Sequence, residues 1–187
     1  MFKYLNLVLY FTHKEVRIIM CKTIDAIIEI PMNTINKYEI DKPTGRIRLS
    51  RVLYSRMTYP AEYGYIENTL ALDGDPLDIL VLASEKTFPG CIVEVRVLGY
   101  LDMIDQGQQD EKVIAVVNAD PRFENLHTLD DVQPHMLKEI KHFFQTYKHL
   151  QETETIVNDY HGIDETIELI ESCFKRYKDL QNSDRVF

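Results

Sequence analysis

The chain has 187 residues, a formal net charge of −9, 45% hydrophobic residues and 27% charged residues. That is enough for one domain with a real core, and the acidity argues against a non-specific nucleic-acid binder, which is usually basic. The three cysteines, Cys21, Cys91 and Cys173, are far apart and form no CxxC pair, which disfavours a zinc site or disulfide framework and favours a reducing, cytoplasmic compartment.

Residues 1–23 read as an N-terminal extension of uncertain status. Met1-Phe2-Lys3-Tyr4-Leu5-Asn6-Leu7-Val8-Leu9-Tyr10-Phe11 is briefly apolar with one early Lys, but His13-Lys14-Glu15-Val16-Arg17 follows where a signal peptide would have small residues. Met20 is an alternative natural start. No segment reaches the roughly 18–20 apolar residues of a membrane span, so no membrane association is expected.

Residues 24–187 read as a single domain. Ile24–Ile30 is an isoleucine-rich strand ending at Pro31. Lys37-Tyr38-Glu39-Ile40-Asp41 alternates, with Lys37, Glu39 and Asp41 on one face. Pro43-Thr44-Gly45 marks a turn and Arg46–Leu49 alternates again. Ile79–Leu82, Ile92–Leu101 and Val113–Val117 are further strands, with turns at Pro89-Gly90 and Gln106-Gly107. Short strands with turn signals and no helical pattern between them predict an antiparallel barrel. From Thr128 apolar residues fall at 132, 136, 137, 140, 143, 144, 147 and 150, a helical period. A second helix fits Ile163–Leu180, with acids at its start and bases near its end. The expected class is α+β, mainly β: a small barrel with two C-terminal helices packed on it. Cys91 and Cys173 are expected in the core. His135, His142 and His149 recur every seven residues, a spacing that suits a helix face, with a subunit interface as its use, better than a metal site.

The densest chemistry is Asp73-Gly74-Asp75-Pro76-Leu77-Asp78, followed at once by Ile79-Leu80-Val81-Leu82. At 4–5 Å and an effective dielectric near 20, each ionised carboxylate pair costs roughly 3–4 kcal/mol. A cation among them would relieve that repulsion, and oxygen-only ligands suit Mg²⁺, Mn²⁺ or Ca²⁺ rather than zinc. A calcium loop of the EF-hand type is disfavoured, because its sixth position would be Asp78 instead of Gly and its twelfth Ser84 instead of Glu. A second acidic group, Asp102, Asp105 and Asp110, lies between two strands, and Glu29 and Glu39 lie on earlier ones. Lys37, Arg51, Lys112 and Lys148 are interspersed, with tyrosines in Tyr59-Pro60-Ala61-Glu62-Tyr63-Gly64-Tyr65. Carboxylates for metals, with Lys, Arg and Tyr for oxyanions, are what a phosphate-handling site needs.

The Asp-x-Asp-Pro-apolar-Asp hexapeptide resembles the signature of the soluble family I inorganic pyrophosphatases. Glu29-Ile30-Pro31, Lys37-Tyr38-Glu39-Ile40-Asp41, Arg51, Tyr59-Pro60 with Tyr63-Gly64-Tyr65, Asp105 with Asp110 and Lys112, and His142-Phe143-Phe144 with Tyr147-Lys148 are similar to that family in order and spacing. The resemblance covers about residues 24–150. It implies a five-stranded OB-like antiparallel barrel flanked by helices and Mg²⁺-dependent hydrolysis of pyrophosphate to two phosphates, with several ions and with Mn²⁺ or other divalent ions as substitutes. By the resemblance, Asp73, Asp78 and Asp110 hold metal, Asp105 and Asp110 hold further metal arriving with substrate, and Glu29 assists through water. Asp75 is the general base that deprotonates a metal-activated water. Lys37, Arg51, Lys112, Tyr147 and Lys148 grip phosphate, Tyr63 donates a hydrogen bond near the point of attack, and Glu39 orients lysines and water. The resemblance also implies a homo-oligomer, a hexamer in bacterial relatives. Ser50 before Arg51, Glu62 in the tyrosine segment, a shortened spacing between Glu29 and Lys37, and the absence of Trp depart from the usual pattern.

Two other classes are compatible with parts of this pattern. An OB-type barrel with exposed tyrosines could bind single-stranded nucleic acid by stacking, although the acidic balance opposes it and no nucleic-acid partner is expected. A phosphohydrolase acting on an organic diphosphate would use the same groups. Asp102, taken alone, reads as a solvated loop residue.

Overall fold

The computed structural model describes residues 23–41 and 43–183. The N-terminal extension, the alternative start at Met20 and Cys21 fall outside the described residues, except that Thr23 already begins the first strand.

Strands β1 (Thr23–Ile30), β4 (Glu62–Ile66), β5 (Asp78–Leu82), β8 (Lys112–Val117) and β6 (Ile92–Asp105) pair in that order, and β1 pairs back to β6, closing a five-stranded barrel. A separate hairpin is formed by β2 (Asn36–Asp41) and β3 (Arg46–Val52). Two more strands, β7 (Gln108–Gln109) and β9 (Thr155–His161), both pair with β6. The helices are α1 (Pro134–Thr146) and α2 (Ile163–Ser183). The barrel is mixed rather than fully antiparallel, because β5 and β8 run parallel.

That parallel pair explains the apolar runs. Ile79, Leu80, Val81 and Leu82 on β5 and Val113, Ile114, Ala115 and Val116 on β8 are all buried, as expected for strands covered on both faces. Strand alternation then divides them between two cores. Leu80, Leu82, Ile114 and Val116 join Ile140, Phe143 and Phe144 of α1. Ile79, Val81, Val113 and Ala115 join Ile170 and Cys173 of α2. Each helix therefore seals one side of the same two strands. Gly64 is where β4 crosses β1 most closely: a Cβ there would lie 1.9 Å from the Ile27 carbonyl oxygen. No other residue fits between Tyr63 and Tyr65 without moving a strand.

Four expectations need adjustment. The helical period from 128 splits into a one-turn 3₁₀ helix at Leu129–Asp131, capped by the reciprocal Thr128–Asp131 box, and α1 proper. Pro134, which lacks an N–H and restricts the residue before it, starts the longer helix. β4 and β9 were not legible as strands. β9 lies at the barrel's outside with mixed burial, so its sequence carries no clear alternation. Cys173 is buried, but Cys91 precedes β6 and is partly exposed. His135 and His142 are exposed on α1, and His149 is exposed in a one-turn helix just beyond it.

Candidate active site

A cleft of about 780 Å³ opens at one end of the barrel. Glu29 from β1, Lys37 and Glu39 from β2, Arg51 from β3 and Tyr63 from β4 line it, with Asp73 and Asp75 from the turn before β5 and Asp78 from the start of that strand. Asp105 at the end of β6, Asp110 before β8, and Tyr147 and Lys148 just past α1 complete it. Twelve of the thirteen expected site residues thus converge on one place; the exception is Lys112. Lys112 is only 1% exposed and lies beneath the cleft.

Local backbone chemistry aims these groups. The bulge between Lys37 and Tyr38 sets Lys37 opposite Arg51 across the hairpin. Gly74, at φ +92°, makes the turn between Asp73 and Asp75. The Asp73 carboxylate accepts the Asp75 N–H at 3.0 Å, an Asx turn that folds the acidic loop on itself. Under the cleft Tyr59, Tyr63, Phe143, Phe144 and Tyr147 form a continuous aromatic floor. Their ring centroids are 5.0 Å apart for Tyr59–Phe143 and 5.1 Å for Phe143–Tyr147. This packing fixes the rings of Tyr63 and Tyr147 at the cleft.

The electrostatics show too much negative charge for the cations at hand. The Lys112 ammonium donates to Asp78 at 2.7 Å and also to Asp110. Tyr63 donates to Asp78, and Lys148 pairs with Asp105. Burial alone would depress the Lys112 ammonium, but Asp78 and Asp110 overcome it and hold its pKa above the usual value. Glu29 is pushed up to about 7, mainly by burial; the Ile40 N–H at 2.8 Å opposes this and Asp78 adds to it. Burial also raises Asp73, helped by Asp78 and Asp75, and raises Asp110 despite Lys112. Burial pushes Glu39 upward too, but Lys37 at 2.8 Å and the Ser50 hydroxyl bring its pKa below the ordinary value. Ser50, the departure beside Arg51, is therefore part of the Glu39 hydrogen-bonding set. Burial holds the Tyr63 and Tyr147 phenols protonated, with Asp78 and Asp105 reinforcing the effect.

The donor set fits hard divalent metal. Glu29, Asp73, Asp78, Asp105 and Asp110 offer only carboxylate oxygens, and three of them have pKa values raised in a way that a cation would reverse. Among the described residues no three such groups are already gathered around one point; the ammonium of Lys112 takes the place between Asp78 and Asp110. On the opposite wall the Arg51 Nε is buried without a hydrogen-bond partner, a donor whose desolvation an incoming anion oxygen would repay.

The cleft also includes Tyr59, Tyr65 and Phe144, which stand in the motifs without an assigned role, and Gln106 and Gln108, to which neither motif nor charge pointed. Gln106 and Gly107 both have positive φ, 50° and 82°, and turn β6 into β7 so that the glutamines flank Asp105 and Asp110. The Gln-Gly pair was a turn signal, but nothing in it pointed to the cleft. Asp102 lies outside, bonded to Gln109 at 3.1 Å and Asn158 at 2.9 Å. Among the described residues no helix is long and apolar enough to cross a membrane.

Comparison with known proteins gives one answer. The family described as inorganic pyrophosphatase matches residues 26–178. The inorganic pyrophosphatase of Halalkalibacterium halodurans is 56% identical over 157 residues, covering 84% of this chain and 96% of that relative. The one from Geobacillus stearothermophilus is 52% identical over 158 residues, covering 84% and 96%. The crystal structure of the Thermus thermophilus inorganic pyrophosphatase superposes with a TM-score of 0.82 at 40% identity, covering 88% of this chain and 97% of that one. With the motif order, the barrel and the acidic cleft all in agreement, the chain belongs to the family I inorganic pyrophosphatases.

Proposed function

We propose that this cleft splits inorganic pyrophosphate into two phosphates, with Asp75 taking the proton of the attacking water. Hydrolysis of pyrophosphate follows from family membership; the assignment of roles is the reading that the geometry supports best. The observation that carries it is the convergence of acidic and cationic groups from β1, β2, β3, the 73–78 turn, the 105–110 turn and the end of α1 on one cleft.

In this reading Glu29, Asp73, Asp78, Asp105 and Asp110 would hold Mg²⁺, which supplies a lowered pKa for the nucleophilic water and neutralises phosphate oxygens. Asp75 sits in the middle of that acidic turn and accepts the water's proton as the P–O bond forms. Lys37, Arg51, Tyr147 and Lys148 hold phosphate oxygens and stabilise the charge that builds on the departing phosphate. The unpartnered Arg51 Nε supports its role as an anion donor. Tyr63, kept protonated by burial and Asp78, remains a hydrogen-bond donor throughout. Glu39 orients Lys37 through their ion pair. Lys112 reaches phosphate only after letting go of Asp78 or Asp110, and metal at those carboxylates would release it.

The same reading makes residues 24–187 one domain, Mg²⁺ the working ion, the location cytoplasmic and the assembly a homo-hexamer, with neither nucleic acid nor membrane as partner. Light scattering after gel filtration tests the assembly. Phosphate release from pyrophosphate, with and without Mg²⁺ and against ATP as competitor, tests the reaction. Metal-dependent release with pyrophosphate preferred is expected. Equal turnover of ATP would move the assignment to organic phosphoanhydrides, the class that includes the organic diphosphates.

A further inference from the structure

The segment that leads into the 73–78 turn is bonded to a helix about a hundred residues further along the chain. Both backbone polar groups of Leu70, three residues before Asp73, are taken by α2. The Leu70 N–H donates to the Cys173 carbonyl at 3.1 Å, and its carbonyl accepts the Arg176 Nε at 2.8 Å. The guanidinium is itself held by the Ser172 hydroxyl at 3.3 Å and the Cys173 sulfur at 3.0 Å. Cys173 is fully buried in the same core as Leu77 and Ile79, so this part of the helix is anchored. One residue further along, the Ala71 N–H donates to the Asp75 carbonyl at 2.7 Å, and the Gly74 N–H donates to the Ala71 carbonyl at 3.3 Å. The backbone of Asp75 is thus two peptide units from α2.

We propose that Arg176 is a positioning residue for the acidic turn: through Leu70 and Ala71 it fixes where the Asp75 and Asp73 carboxylates stand in the cleft. It touches neither substrate nor metal. The inference rests on the reading of Asp75 as proton acceptor and Asp73 as metal ligand. Catalysis is steep in position, so a turn that shifts by a fraction of an ångström loses rate while the phosphate-binding groups on β2, β3 and the end of α1 stay where they are. The molecule holds its own control. Arg96 also clamps a loop, donating to the Leu126 carbonyl at 3.0 Å, the Phe123 carbonyl at 2.5 Å and Asn118 at 3.1 Å. That loop lines no part of the cleft.

The test compares Arg176→Met, Arg176→Lys, Arg96→Met and Asp75→Asn in the full chain. It measures kcat and KM for pyrophosphate, Mn²⁺ affinity without substrate by calorimetry, and hydrogen exchange of residues 67–78. For Arg176→Met we expect kcat to fall about tenfold with KM within about twofold, weaker Mn²⁺ binding and faster exchange of the turn. Arg176→Lys, which can still donate to Leu70, should recover kcat to within about threefold of the unaltered protein. Arg96→Met should keep kcat and Mn²⁺ affinity within about twofold whatever its melting temperature. A folded Arg176→Met with unchanged kcat, or an equal kcat loss in Arg96→Met, overturns the proposal. If Arg176→Met does not fold, exchange in the unaltered protein decides. Leu70 and Ala71 amides as slow as those of α2 support it; exchange faster by about a hundredfold overturns it. Loss of turnover in Asp75→Asn beside an unaffected Arg176→Met removes the positioning role alone. Full turnover in Asp75→Asn removes the reading of Asp75 and this inference with it.

Discussion

In the 73–78 segment all three carboxylates reach the same cleft, whereas in the 102–110 segment Asp105 and Asp110 do and Asp102 does not. The first is a tight turn, closed on itself by the Asp73 Asx bond and the Ala71–Asp75 bond and braced by Thr69, whose hydroxyl accepts the Leu77 N–H at 2.8 Å. The second runs along a strand and around a hairpin, where the pleat sends Asp102 and Asp105 to opposite faces. Asp102 there spends its oxygens on Gln109 and Asn158. Closeness in sequence therefore means closeness in space inside a turn, but only at even spacing along a strand. Three carboxylates in each segment look alike in sequence and differ by one in chemistry.

Substitutions can break or sharpen that contrast. Among the proposed metal ligands Asp78→Asn should do most harm, because Asp78 receives both Lys112 and Tyr63. A fall in kcat on the order of 10³-fold is expected, since metal-based charge stabilisation is worth several kcal/mol. Asp105→Asn, which loses the Lys148 partner at the rim, should cost about ten- to a hundredfold in kcat/KM. Steady-state kinetics across a Mg²⁺ titration checks both.

Glu29 gives a stability effect of intermediate size. Its folded pKa is raised above its unfolded value to about 7, so the folded state binds the proton more tightly. The stability this contributes is full below the unfolded pKa and is lost as pH rises through about 7. In metal-free protein, Glu29→Gln should therefore be the more stable form above pH 7, by about 2 kcal/mol after allowance for partial solvent screening. Adding Mg²⁺ should reverse the order by binding the carboxylate of the unaltered protein. Thermal melts at pH 5 and 8, with chelator and with Mg²⁺, read this directly. Asp102→Asn should do least: kcat/KM within about twofold of the unaltered protein, because the residue faces away from the cleft. A large loss there would erase the distinction between the two acidic segments.

The sequence was most legible where chemistry and backbone agree. The β5 and β8 runs announced buried strands, and the acidic hexapeptide announced a metal-fitting turn, since crowded carboxylates have few other uses at a core strand. Lys112 was harder. Its place in the motif order tied it to the site, but only the parallel β5–β8 register, with Asp78 opposite Lys112, shows it beneath the carboxylates. Gln106 and Gln108 were unreadable as cleft residues because amides carry no charge pattern. The link from Arg176 to Leu70 spans 106 residues and runs to a backbone carbonyl, which leaves no trace in residue types. β9 is illegible in the sequence because its pairing with β6, not its own alternation, makes it a strand.

The division of labour within the acidic turn meets its most direct test in Asp75→Asn, assayed for phosphate release from pyrophosphate at saturating Mg²⁺ alongside Mn²⁺ binding without substrate. If Asp75 takes the proton while its neighbours hold metal, kcat falls by about 10²–10⁴-fold and Mn²⁺ affinity changes little. Turnover close to that of the unaltered chain, or a loss of Mn²⁺ binding as deep as the loss of rate, would contradict it.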